Sequence, residues 1–349
     1  MARTQLPLSG AERISRRDFL VRAGAAGACL TGVHPLLSVQ TKPRRIDVHH
    51  HISPPTWLEA VKRAHLDFPP AVGWSPQKSI ADMDEAEVAT SVVVPTMPQV
   101  AFLGPVEAAR IARESNEYAK KLMADHPGRF GMLAMLPMPH VDESLKEIEY
   151  ALDVLGADGI GMMTSYGDRW LGYPEFAPVF EELHRRRATV ATHPNRANCC
   201  VNLVQGIPEA VVEFAADTTR AIASLIFSGT SQRFGNINFV FSHGGGALTA
   251  VVERFEDFMV RTYRDRFTRE IVDAELRRFY YDTAQVSNAV TMAALTKLVP
   301  VSQIVFGTDF PFRSATDHVK GLAALFNRDD LNSIDRTNAL RILPGLGKA

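Results

Sequence analysis

The chain has 349 residues, with 38 basic and 39 acidic side chains and a formal net charge of −1 at pH 7. That balance gives no field to draw in a polyanion, so nucleic acid is not an expected partner. At 46% hydrophobic and 22% charged residues the composition is that of an ordinary globular protein, of a length that α/β barrels use as one domain. Three cysteines cannot build a disulfide framework; adjacent cysteines bridge only with backbone strain, so Cys199 and Cys200 are expected to be free thiols.

The first element is not part of a fold. Residues 15–20 read Ser-Arg-Arg-Asp-Phe-Leu, and a short apolar run follows from Ala23 to about Val33. This pattern resembles a twin-arginine export signal. The expectation is a leader over residues 1–40 and a folded domain over 44–349 that works in the periplasm or outside the cell, or in the cytoplasm if the leader is not used. The apolar run is shorter than the roughly 20 residues a spanning helix needs, so no membrane span is expected in the mature chain.

From Arg44 onward, short β-rich runs alternate with longer helical stretches. The predicted strands are Ile46–His51, Ser91–Pro95, Gly131–Pro137, Gly159–Thr164, Thr189–His193, Asn238–His243, Phe279–Thr283 and Ile304–Asp309. Most are continuous apolar runs, as parallel strands buried on both faces require. The stretch 53–80, rich in proline, reads as a long loop with one short helix. A helix is predicted from Asp142, which can cap its N-terminus, to Leu155, with Gly156 ending it. Others are expected near 105–125, 174–187, 210–229, 247–263, 287–298 and 316–326. Eight alternations point to a closed (β/α)8 barrel or a large doubly wound sheet, and no Gly-rich phosphate loop follows any strand, which counts against the second.

The strand ends decide between the two. In a (β/α)8 barrel the chemistry sits at the C-terminal ends of the strands. The first strand ends in His49-His50-His51, the fifth at His193, the sixth at His243 before three glycines, the seventh at Asp282-Thr283 and the eighth at Asp309. His49 and His51 are two apart, so both point one way and His50 the other, which gives His50 a packing or supporting role. Together with His193 and Asp309 they make a ligand set of three imidazoles and a carboxylate. That set suits one divalent ion, zinc before manganese. His243 is expected to act as a catalytic acid or base. His65, His126, His140, His184 and His318 fall in loops or helices and are expected at the surface.

These stretches resemble the amidohydrolase-related proteins of the aminocarboxymuconate-semialdehyde decarboxylase family. The likeness is carried by Ile46-Asp47-Val48-His49-His50-His51, Ala112-Arg113-Glu114-Ser115-Asn116-Glu117, His126-Pro127-Gly128-Arg129-Phe130, Thr192-His193-Pro194, Ser242-His243-Gly244-Gly245-Gly246, Tyr281-Asp282-Thr283 and Phe306-Gly307-Thr308-Asp309-Phe310-Pro311. The resemblance implies a distorted (β/α)8 barrel, metal ligands at His49, His51, His193 and Asp309, a catalytic histidine at His243, and a homodimer. A histidine at position 49 makes the chain more like the aminocarboxymuconate-semialdehyde and 6-methylsalicylate branches than the γ-resorcylate branch, and the stretch Ala216-Asp217-Thr218-Thr219-Arg220 leans it toward 6-methylsalicylate decarboxylases.

The expected reaction is therefore non-oxidative decarboxylation of a small aromatic or unsaturated carboxylic acid, with His243 or Asp309 delivering a proton to the carbon that bears the carboxylate. Trp74, Met97 and Phe310 are expected to wall the site, and Arg63 or Lys78 to anchor the substrate carboxylate. The runner-up is hydrolysis of a lactone, amide or ester by metal-activated water, with Asp309 as base and His243 steadying the oxyanion. A non-catalytic binding protein on the same fold would lack a ligand or the catalytic histidine, and none is missing.

Overall fold

The computed structural model of the protein describes residues 44–347. The leader assigned from the sequence, with Cys29 and His34, lies outside the described residues. Eight parallel strands form one sheet in sequential order: β1 (Arg45–Ile52), β2 (Val88–Pro95), β3 (Phe130–Met135), β4 (Gly159–Met163), β5 (Thr189–His193), β6 (Asn238–Phe241), β7 (Tyr280–Asp282) and β8 (Ile304–Val305). All eight predicted runs are strands. The sheet closes beyond the short β8, where Val48 N donates to Phe306 O at 2.9 Å, Asp309 N to His49 O at 2.8 Å and His51 N to Phe310 O at 2.8 Å. This is a (β/α)8 barrel, and no helix of the described residues is long and apolar enough to cross a membrane.

The strand side chains fill the barrel from within. Ile46, Val48, Val92, Val94, Leu133, Val240 and Val305 pack together there, and Ile342, Leu343 and Leu346 from the C-terminal segment join the same cluster. Strict alternation would put Val48 and His49 on opposite faces of β1. The β1–β2 register breaks between Asp47 and His50, and such a bulge re-aims the following side chains. Val48 and His49 consequently line the same small internal cavity.

Helices cover the outside largely where the hydrophobic periodicity places them, with local differences. The stretch 53–80 forms three short helices, Pro55–Arg63, Pro69–Val72 and Pro76–Glu85, each entered through a proline. Prolines at first-turn positions start helices rather than preclude them. The helix expected from Asp142 begins one residue earlier, at Val141. Asp142 sits in its first turn rather than capping it, and the α-helix gives way to a π turn over Tyr150–Val154 before Gly156 at φ 66°. Beyond the expected helices, the chain forms one at Arg269–Arg278 and short C-terminal turns from Arg328 onward. Cys199 and Cys200, expected as free thiols, are joined as a disulfide within the tight turn Asn198–Cys200, which sets neighbouring sulfurs side by side. His318 is fully buried rather than at the surface, its Nδ1 2.9 Å from Ser287 Oγ, because its helix packs that face inward. His140 is half-buried, with Nε2 2.9 Å from Leu103 O.

The helix Pro105–Asp125 carries a side chain that stands in for a strand. Asn116 Nδ2 donates to Met135 O at 2.9 Å, Met135 N donates to Asn116 Oδ1 at 2.8 Å, and Asn116 Nδ2 also reaches Glu147 Oε1 at 2.8 Å. Both backbone groups at the end of β3 are thus satisfied by one buried amide. Replacing Asn116 with Ala leaves them and the Glu147 carboxyl short of partners, at a cost of about 2–4 kcal/mol. Urea unfolding of Asn116→Ala should show that loss; a change within about 0.5 kcal/mol of wild type, the usual scatter of surface substitutions, would contradict the role given to it.

Candidate metal centre

Five strand ends meet at the C-terminal mouth of the barrel. The ligand atoms of His49, His51, His193 and Asp309 all lie within 4.8 Å of one another, and all four residues are buried. His49 Nε2 and His51 Nε2 are 3.1 Å apart. Asp309 Oδ1 lies 3.3 Å from His49 Nε2, 3.1 Å from His51 Nε2 and 3.8 Å from His193 Nε2. The structure brings together the four residues that the sequence singled out as ligands.

The outer side of each ring fixes what its inner side offers. His49 Nδ1 is 2.7 Å from Asp282 Oδ2, His51 Nδ1 is 3.2 Å from Val94 O, and His193 Nδ1 is 2.8 Å from Pro194 O. Carboxylate and carbonyl oxygens only accept, so each Nδ1 carries the hydrogen and each neutral ring turns an Nε2 lone pair toward the centre. Asp309 Oδ1 is buried there without a hydrogen-bond donor. Lone pairs facing lone pairs, with an orphaned carboxylate oxygen among them, fit a single divalent cation.

The electrostatics agree. Burial pushes the His193 pKa down to about 3 and lowers that of His51, which keeps both rings neutral and able to ligate. At His49 burial also opposes charge, but Asp282 and Asp309 outweigh it and hold the ring well above the usual histidine value. Burial likewise opposes ionisation of Asp309, and is outweighed above all by the His49 charge, with His243 adding a hydrogen bond to Oδ2, so its carboxyl stays well below the carboxylate range. The site is built to hold positive charge.

His243 stands beside the cluster, not within it. Its Nε2 lies 3.3 Å from Asp309 Oδ2, and its backbone N–H donates to Asp282 Oδ1 at 2.8 Å. Its φ is 54°, and Gly244, Gly245 and Gly246 follow in positive φ. Gly246 must be glycine, since a Cβ there would fall 2.2 Å from Ala215 O. That close approach seats the turn against the helix Glu209–Phe227, which supplies one wall of the cavity above the cluster.

The cavity has a volume of about 610 Å³ and is walled by Phe68, Pro70, Met97, Ala210, Val211, Phe214, Ala215, Gly246, Val286 and Phe312. Its polar side is His193, His243, Gln285 and Asp309. Of the walls expected from the sequence, Met97 is one. Trp74 is not, because its Nε1 donates to Ser79 Oγ at 2.9 Å; Phe310 is not, because it stacks on His50 with ring centroids 4.7 Å apart. His50 itself is buried, with Nδ1 3.0 Å from Asp47 Oδ2 and Nε2 2.8 Å from Ser79 Oγ, in the packing role expected of it. Neither expected carboxylate anchor reaches the cavity: Arg63 pairs with Glu107 at 2.6 Å, and Lys78 Nζ donates to Gly73 O at 2.5 Å.

Four positioning groups went unassigned in the sequence. Asp282 was visible only as a polar strand end, yet it orients both His49 and His243. Asp47 accepts from His49 N at 3.1 Å and from Thr308 N and Oγ1 at 3.1 and 2.7 Å, joining β1 to the segment after β8. Asp217 gathers the Oγ1 of Thr164, Ser165 Oγ at 3.0 Å, Trp170 Nε1 at 2.7 Å and Asn195 N at 3.3 Å, which anchors the loop after His193. Gln285 donates to Asp309 Oδ2 at 3.0 Å. The strand-end rule could have found Asp282; no sequence signal marks Gln285.

Residues 46–345 match the amidohydrolase family model. The chain is similar to the 6-methylsalicylic acid decarboxylase acuB of Aspergillus aculeatus, 33% identical over 324 residues that cover 87% of this chain and 97% of that protein. It is similar to a crystal structure of amidohydrolase II, at 27% identity and TM-score 0.78, covering 86% of this chain and 99% of that one. It also shares its fold with the dihydroxybenzoic acid decarboxylase of Polaromonas sp. JS666, solved with manganese and 2-nitroresorcinol, at 18% identity and TM-score 0.74, covering 88% of this chain and 98% of that one. With its barrel, its strand-end histidines and a family match over most of its length, the chain belongs to the amidohydrolase family.

Proposed function

We propose that this protein is a metal-dependent, non-oxidative decarboxylase of a small aromatic acid of the 6-methylsalicylate kind. The observation that carries the reading is the division of the cavity: apolar walls on most sides, and one polar edge where Asp309 and His243 face the three-imidazole cluster. A substrate suited to it has its carboxylate and neighbouring oxygen on one edge and a ring with apolar substituents on the others. The 6-methylsalicylic acid decarboxylase likeness over nearly the whole of that relative supports the same choice.

Met97, Phe214, Val286 and Phe312 hold the ring and exclude water. His49, His51, His193 and Asp309 would hold a divalent cation, which when bound would supply positive charge toward the substrate's carboxylate edge and toward the charge shifted in the reaction. His243 Nε2 carries the proton and is paired with Asp309 Oδ2, 3.3 Å away, which accepts from it. His243 gives that proton to the ring carbon that bears the carboxylate. The bond to the carboxyl carbon then breaks, its electrons return to the ring, and carbon dioxide leaves; the next proton comes from solvent. No oxidant or reductant enters this balance.

Three imidazoles and a carboxylate suit zinc first, and the manganese in the Polaromonas enzyme makes manganese the other ion to assay. Dialysed protein should take up one ion per chain, measured by elemental analysis. Because the flanking carboxylates favour a proton on His49, the cation must displace it, so apparent affinity rises with pH. The expected slope is about tenfold per pH unit where one proton is released, and affinity that is flat or falls from pH 5 to 8 would contradict the ligand assignment.

Metal-loaded protein should release carbon dioxide from 6-methylsalicylate or a related hydroxybenzoate. His243→Ala should lower kcat about 10²–10⁴-fold while metal content stays at the wild-type level. Turnover of a lactone panel with none of the acids would replace the decarboxylase reading by the hydrolytic one.

A further inference from the structure

Gln285 lines the cavity three residues beyond Asp282, and the mechanism above makes no use of it. Its Nε2 donates to Asp309 Oδ2 at 3.0 Å. A carboxylate that ligates a cation has no hydrogen to give, so the amide can present only its NH2 group on that side. Turned over, it would set oxygen against oxygen. The neighbour therefore decides which end of the amide is left: Oε1 is directed away from Asp309, and no donor among the described residues hydrogen-bonds it. Gln285 is also held at φ 60°. That backbone costs a non-glycine residue roughly 1–2 kcal/mol, and glycine or asparagine would be the ordinary occupant. A long amide at such a position is kept for its side chain.

The rest of the cavity makes this oxygen conspicuous by its chemistry. His193 and Asp309 belong to the cation cluster and His243 carries the proton, while Met97, Phe214 and Phe312 are apolar. Gln285 Oε1 is thus a neutral acceptor at the solvent-open rim of an apolar chamber, on an exposed side chain tethered through Nε2 to Asp309.

We propose that Gln285 is a specificity-determining residue whose Oε1 accepts a hydrogen bond from a hydroxyl of the bound acid. The site then selects hydroxylated aromatic acids over acids of the same outline whose oxygen carries no hydrogen. This rests on the decarboxylase reading for the aromatic acid, and it is tested by binding so that the two can fail separately.

The experiment titrates metal-loaded protein by calorimetry with 2-hydroxybenzoate, 2-methoxybenzoate and the corresponding 3-substituted pair. Three proteins are compared: wild type, Gln285→Leu, which loses donor and acceptor, and Gln285→Lys, which keeps a donor for Asp309 and loses the acceptor. The wild type should prefer one hydroxy acid over its methoxy partner by about tenfold, the worth of one hydrogen bond. Both variants should narrow that preference to within about threefold. Loss of metal from Gln285→Leu alone, with a narrowed preference in Gln285→Lys, supports the proposal, because the donor half of the amide then serves Asp309 and the acceptor half the ligand. The proposal is overturned if metal-loaded Gln285→Lys keeps the wild-type preference, or if wild type shows none or binds none of the four acids. Failure of these acids to yield carbon dioxide would instead strike the decarboxylase reading and leave the binding comparison standing.

Discussion

The structure turns on one electrostatic demand: three imidazole nitrogens and one carboxylate oxygen, all acceptors, held within 4.8 Å of one another at the mouth of the barrel. Acceptors crowded this way repel unless positive charge lies between them. The rings cannot relieve the conflict by turning round, because each Nδ1–H is committed to an oxygen that can only accept. The site is thus specified from outside inward, with the backbone carbonyls of Val94 and Pro194 and the carboxylate of Asp282 deciding what the centre presents.

Closing the barrel and assembling the centre are the same event. Strand β8 is only two residues long, and the seam with β1 is completed by Asp309 N on His49 O and His51 N on Phe310 O. Those residues are ligands or their immediate neighbours. Asp47 strengthens the seam by accepting from Thr308 as well as from His49 N. Asp282 spans a second seam, with one oxygen on the His49 ring and the other on the His243 backbone. A substitution at either aspartate would consequently disturb fold and site together, whereas Phe214 and Phe312 touch the centre only through edge-on packing against His193 and His51.

The barrel was legible because parallel strands buried on both faces leave continuous apolar runs, and all eight runs are strands. The ligand cluster was legible because the fold puts strand ends on one rim, so polar residues at the ends of separate runs must converge. What lies further out was not. Trp74 and Phe310 looked like chamber walls, but the indole finds Ser79 and the phenyl ring finds His50. Arg63 and Lys78 looked like anchors, but one is paired with Glu107 and the other with Gly73 O. His318 looked exposed in a helical stretch and lies buried against Ser287. Each depends on which partner a side chain meets across the fold, and neither periodicity nor spacing carries that.

His243, Gln285 and Asp309 all face the cavity with positive φ, at 54°, 60° and 62°. None is glycine, and left-handed backbone at such residues costs on the order of 1–2 kcal/mol each. Each follows a strand end, where the chain leaves the sheet while its side chain lines the cavity, and the left-handed turn meets both needs. The surrounding hydrogen bonds hold the strain in place: Asp282 Oδ1 on His243 N, Thr283 Oγ1 with Gly307, and His49 O with Asp309 N. The same bonds orient the ligands, so the framework that tolerates the strained backbone is the one that fixes the cation site. Relaxing any of the three turns would move a polar group away from the only edge of the chamber that is not apolar.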